Sequence, residues 1–128
     1  MRYRRVVAKC GTSLLTAGSE RLDLEAMSAI VGQVVRLRAA GHEVVVVSSG
    51  ARAAGRHAIA HLPPKNRPPG KQALASIGQH RLMATWGMLF EAYDCVVAQV
   101  LLTRSDLSDR LAYLNARNTL RDLMDHGV

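Results

Sequence analysis

Val44-Val45-Val46-Val47-Ser48-Ser49-Gly50-Ala51-Arg52-Ala53-Ala54-Gly55 is the segment around which this 128-residue chain is arranged. Four uninterrupted β-branched residues suit a strand covered on both faces, and such strands occur mainly in parallel sheets flanked by helices. The alanine-rich run that follows reads as a helix, so the segment predicts a buried strand turning directly into a helix. Ser48 and Ser49 are expected to cap that helix, and Gly50 lets a ligand approach the backbone at the turn. Unpaired N–H groups and partial positive charge at a helix start make this a place for a carboxylate or a phosphate. An ordinary capped turn accounts for the same shape, and both readings stand at this point.

Upstream, residues 3–10 read as a first strand with Val6, Val7 and Ala8 buried, ending at Lys9 and turning through Gly11-Thr12-Ser13. Asp23 is the expected N-cap of a helix carrying Leu24, Met27, Val31, Val34 and Val35 at helical spacing, which Gly41 ends. Strand, helix and strand over this length predict a right-handed parallel crossover.

Downstream, a short helix over residues 51–60 precedes Leu62-Pro63-Pro64-Lys65-Asn66-Arg67-Pro68-Pro69-Gly70. The four prolines mark a loop, either an inert connector or a flap over a site. Over residues 71–93 the residues Leu74, Ile77, Leu82, Trp86, Leu89 and Phe90 form a helical stripe, read as core or subunit contact. Residues 95–102 read as a third buried strand ended by Thr103. Ser105 or Ser108 is then the expected cap of a last helix with Leu111, Leu114, Leu120, Leu123 and Met124, closed by His126-Gly127. The expected fold class is α/β, with three strands. Such a sheet has unprotected edges, and the βα rhythm calls for a fourth strand beyond Val128, supplied by a partner or by a missing second half.

Lys and Arg number 17 against 10 Asp and Glu, a net charge of +7 that raises the question of an acidic partner. Only Arg2, Arg4 and Arg5 cluster tightly, and three Tyr, one Trp and one Phe offer little stacking surface, which argues against a nucleic-acid binder. No apolar run approaches a membrane span, and no secretory signal is read at the start. Cys10 and Cys95 match no metal spacing and read as two buried thiols in a reducing cytosol. The five His residues show no metal spacing either; His57 and His61 are four apart, but two ligands do not make a site.

In a parallel sheet three strand ends converge on one edge: Lys9 with Gly11-Thr12-Ser13, Ser48-Ser49-Gly50, and Thr103 with Arg104. A lysine there, beside the N–H groups of a glycine loop, neutralises the charge that builds during phosphoryl transfer; the plain alternative is a lysine leaving a strand at the surface. Neither Gly-x-x-x-x-Gly-Lys-Ser/Thr nor Gly-x-Gly-x-x-Gly after a strand occurs, which disfavours the two common nucleotide loops.

Val6-Val7-Ala8-Lys9-Cys10-Gly11-Thr12-Ser13-Leu14-Leu15-Thr16, the valine–serine–glycine segment and Lys71-Gln72-Ala73-Leu74-Ala75-Ser76-Ile77-Gly78-Gln79 together resemble the glutamate 5-kinases of the amino acid kinase family. Leu101-Leu102-Thr103-Arg104-Ser105-Asp106-Leu107 and Tyr113-Leu114-Asn115-Ala116-Arg117-Asn118-Thr119-Leu120 extend the resemblance over essentially the whole chain. It implies a three-layer αβα sandwich with a mainly parallel sheet. It also implies a cytoplasmic enzyme of proline biosynthesis that moves the γ-phosphate of ATP, with Mg2+, to the side-chain carboxylate of L-glutamate. The product is then L-glutamyl 5-phosphate, proline is a feedback inhibitor, and the complete enzyme is a homo-oligomer.

By the same resemblance Lys9 is the catalytic, phosphate-stabilising lysine. Gly11, Thr12 and Ser13 belong to the phosphate-binding backbone, and Ser49, Gly50 and Ala51 to the glutamate-binding turn. No metal ligand is assigned. Residues 1–128 correspond to the N-terminal, glutamate-side part of the kinase domain, without the nucleotide-binding half, so the isolated chain is expected to be inactive. Two departures stand out. Arg52 replaces a small or aliphatic residue and either crowds the glutamate pocket or adds an anion contact; Leu111 and Ala112 replace polar ones. The alternative expectation is a non-catalytic remnant acting through protein contact at its sheet edge or its 71–93 helix.

Overall fold

The computed structural model describes residues 3–128, so Arg2 of the basic cluster lies outside the described residues. Two compact units form, Met1–Leu89 and Phe90–Val128, with the boundary in the last turn of a long helix.

In the first unit β1 (Arg5–Cys10) and β2 (Glu43–Ser48) pair in parallel, in register from Arg5 opposite Glu43 to Cys10 opposite Ser48. A parallel pair needs a crossover, and here α1 (Thr12–Leu15) and α2 (Leu24–Ala39) supply it. Asp23 caps α2 as expected, its carboxylate accepting from Ala26 N–H at 2.8 Å. Gly41, at φ 86°, ends α2: its N–H donates to Arg38 C=O and that of His42 to Leu37 C=O, the paired bonds of a left-handed helix stop. Met27, Val31 and Val34 of α2 are buried, as are Leu15, Thr16 and Cys10.

The expectation of a strand pair buried on both faces is corrected by the exposures. Val7 is 64% and Val47 48% exposed, and β1 alternates between exposed and half-buried residues. Side chains of a strand alternate between faces, and β1 follows that alternation, whereas Val44, Val45 and Val46 of β2 are all half-buried, so neither face of β2 is fully covered. A continuous run of valines satisfies a partly covered strand as well as a fully buried one, and the run alone does not tell them apart.

α3 (Ala51–Ile59) follows β2, and α4 (Lys71–Glu91) follows the proline loop, whose residues 60–70 are all exposed. Leu74, Leu82 and Trp86 bury the stripe of α4. α3 and α4 approach backbone to backbone. A Cβ on Gly55 would lie 1.8 Å from Leu74 C=O, and one on Gly78 1.8 Å from Ala51 C=O, so both glycines are required by the closeness of the crossing.

The second unit holds α5 (Arg104–Ser108) and α6 (Arg110–Asp125). Residues 95–102, expected as a third strand, form none. A strand needs a hydrogen-bonded neighbour, and among the described residues of this unit there is no other strand to pair with. The expected serine caps are also corrected. Thr103 caps α5 in a reciprocal capping box with Asp106, and Asp109 caps α6 by accepting from Ala112 N–H at 2.8 Å. Ser108 is turned the other way, donating to Arg104 C=O. His126-Gly127 closes α6 as expected, with Gly127 at φ 78°. No helix among the described residues is long and apolar enough to cross a membrane.

Candidate functional site

Because β1 and β2 run parallel and in register, their carboxyl ends lie side by side. The ladder extends one residue further, with Ser49 N–H donating to Cys10 C=O at 2.9 Å. The Gly11 loop and the Gly50 turn therefore leave the sheet together, which is where ligands sit in open α/β sheets.

Gly50 takes φ 105°, a conformation that disfavours any side chain, and a Cβ there would also press on Leu22 at 3.3 Å. It is the N-cap of α3, and with no side chain it caps nothing. The first helical bond runs from Ala54 N–H to Gly50 C=O, leaving the N–H groups of Ala51, Arg52 and Ala53 without a helical partner. α1 starts the same way, at Gly11, with no side-chain cap and open space where a Cβ would be. In α2, α5 and α6, by contrast, Asp23, Thr103 and Asp109 fill the position. α4 also starts after a glycine, Gly70, to whose carbonyl Leu74 N–H donates, but only α1 and α3 start directly after a strand.

The expectation that Ser48 and Ser49 cap α3 is thereby overturned. Ser48 Oγ donates to Ser49 C=O at 3.0 Å and accepts the indole N–H of Trp86 at 3.0 Å, so the hydroxyl serves α4 instead.

A cleft of about 390 Å³ opens at this edge, lined by Thr12, Ser48, Ser49, Gly50, Ala51, Arg52, Ala53 and Arg56. The size is that of a small-molecule site. Two guanidinium groups and no carboxylate stand in the wall, so its field favours an anion. Of the expected site residues, Thr12 joins Ser49, Gly50 and Ala51 in this wall; Gly11 and Ser13 adjoin Thr12 in sequence without lining it. Lys9 is exposed at the end of β1, opposite Val47, and is likewise not a lining residue. Thr103 and Arg104, the third expected strand end, belong to the second unit.

Sequence reasoning missed Arg56 as part of the site and Trp86 as the partner of Ser48. The i, i+4 spacing of Arg52 and Arg56 puts them on one helix face, a signal that was legible. Nothing in the sequence announces a bond between Trp86 and Ser48, 38 residues apart.

The strongest ion pairing lies at the other end of the strands. Glu43 accepts from Arg5 Nε at 2.8 Å and pairs with Arg4 at 3.0 Å; the hydrogen bond from Arg5 leads in holding its carboxyl below the usual range. Burial pushes the Cys10 thiol up. Among the described residues no three of His, Cys, Asp and Glu are grouped to hold a metal ion.

Residues 4–128 match the model of the amino acid kinase family. The chain belongs to that family. Its mixed α/β architecture, with a parallel strand pair, accords with the αβα fold expected of a member. It is 53% identical over 128 residues to a glutamate 5-kinase of Dehalococcoides mccartyi strain CBDB1, covering 98% of this chain and 34% of the relative. A glutamate 5-kinase of Herpetosiphon aurantiacus is 51% identical over 126 residues, and one of Pasteurella multocida 49% over 127, with 98% of this chain and 34% of the relative covered in each case. The chain thus spans about a third of the length of the curated relatives it matches.

Proposed function

We propose that this chain is the glutamate-binding part of a glutamate 5-kinase, which transfers the γ-phosphate of ATP to the side-chain carboxylate of L-glutamate. The observation that carries this reading is the shared cleft: Thr12, the first residue of α1, lines the same space as Ser49, Gly50 and Ala51. In the proposed arrangement Ser49, Gly50 and Ala51 hold glutamate, and the open N–H groups at the start of α3 supply donors for an anion. Lys9, with the backbone of Gly11, Thr12 and Ser13, faces the transferred phosphoryl group. The attacking oxygen already belongs to a carboxylate, so no general base is needed; positioning and charge neutralisation carry the rate.

The cleft wall contains no carboxylate, so the residues present do not fit Mg2+, and no step is assigned to the metal. The nucleotide-binding half is placed outside these 128 residues, and the chain alone is expected to show no kinase turnover. The reading extends to the product, L-glutamyl 5-phosphate, to cytoplasmic proline biosynthesis, and to proline as a feedback inhibitor of a homo-oligomeric whole. Equilibrium dialysis of the folded chain against labelled L-glutamate and labelled ATP tests it. Glutamate retention with weak or absent ATP retention is expected; tight ATP binding without glutamate contradicts it.

A second reading, contact with another chain, is favoured by the apolar side chains that the second unit leaves exposed. Leu101 is 71%, Leu107 58% and Leu111 68% exposed, and no residue of α6 is buried. Surface of this kind marks contact sites. Light scattering over a range of concentrations tests this, and a monomer at every concentration counts against it.

A further inference from the structure

Arg52 and Arg56 both line the cleft, four residues apart on the same face of α3. Neither has a carboxylate partner in the wall, and the ion pairs among the described residues engage Arg4, Arg5 and His126 instead. One helical turn separates them by about 6 Å along the axis. Two guanidinium groups one turn apart on one helix face can converge on a single anionic group. The cleft keeps its volume of about 390 Å³ with Arg52 in the wall, so the arginine does not block it. Of the two outcomes open for this residue, crowding and an added contact, the geometry favours the contact.

We propose that Arg52 and Arg56 form a paired anion subsite in this cleft that grips a carboxylate of a dicarboxylic amino acid whose other carboxylate lies at Ser49, Gly50 and Ala51. The assignment of the ligand rests on the glutamate reading above; the assignment of the two arginines rests on the cleft and its charge. Arg52 then acts as a specificity residue that favours a substrate with two carboxylates over its amide. A guanidinium gives a carboxylate a planar fork of donors, which an aliphatic residue at the same place does not.

Calorimetric titration of the chain with L-glutamate, L-glutamine and inorganic phosphate tests this, using Arg52→Ile, Arg56→Ala and the double variant. Both positions are solvent-exposed, and circular dichroism checks that each variant is folded. The expected result is glutamate binding weakened about tenfold by either single change, further by the double change, and a smaller preference for glutamate over glutamine. Glutamate affinity within twofold of the parent in a folded double variant overturns the proposal. If the parent binds phosphate but not glutamate, and Arg52→Ile removes that binding, the arginine pair stands and the glutamate reading fails. Binding of neither ligand by the parent overturns both.

Discussion

Trp86 donates its indole N–H to Ser48 Oγ at 3.0 Å, tying the middle of α4 to the last residue of β2. Trp86 is 3% exposed, so its N–H depends on a protein acceptor, whereas Ser48 itself is exposed. Ser48→Ala is therefore expected to cost about 1–2 kcal/mol, the penalty of a buried donor left unpaired. Ser49→Ala is expected to lie within about 0.5 kcal/mol of the parent. Urea denaturation of the two variants reads the difference; equal midpoints contradict the bond's role in holding the turn.

Gly55 and Gly78 set how close α3 comes to α4, and with it the position of the Gly50 turn. Ala at either site places a methyl against a carbonyl of the other helix, with a loss of about 3 kcal/mol or more as the helices separate. Gly11 has φ −74° and open space around it, so Gly11→Ala is expected to leave stability within about 0.5 kcal/mol. Thermal melts of the three variants compare these directly.

Glu43 joins the starts of both strands through Arg4 and Arg5. Its carboxyl titrates below the ordinary glutamate value in the folded state, so the folded chain holds the ionised form more strongly than the unfolded chain does. That contribution is present above the unfolded value and is lost as pH falls through the lowered folded value. Glu43→Gln is expected to flatten this acid-side decline, measured as the denaturation midpoint against pH; an unchanged slope contradicts it.

Cys10 is 3% exposed with its thiol pushed up by burial, whereas Cys95 is half-buried. Thiolate is the reactive form, so iodoacetamide is expected to label Cys95 first and Cys10 only as the chain opens. Peptide mapping after partial labelling gives the order, and faster labelling of Cys10 contradicts the packing described for the end of β1.

What could be read beforehand was local. The two strands, the Asp23 cap, the Gly41 stop and the glycine turn after the valine run each depend on neighbouring residues, and the run itself placed Ser49, Gly50 and Ala51 at a strand end. The caps of α3 and α6 differ from expectation because Ser48 and Ser108 hydrogen-bond elsewhere, as any hydroxyl does when another partner is closer. The third strand failed for a different reason. Residues 95–102 have strand composition, but pairing is a property of the neighbour and not of the segment. The close crossing at Gly55 and Gly78 joins residues 23 apart, beyond any local pattern.

The central claim is that glutamate binds where the ends of β1 and β2 meet. Amide-resolved NMR of the isotopically labelled chain during titration with L-glutamate tests it most directly. The predicted result is saturable shifts centred on Thr12, Ser49, Gly50 and Ala51, with the amides of α6 unmoved. Saturable shifts centred elsewhere, or none at any glutamate concentration, would contradict it.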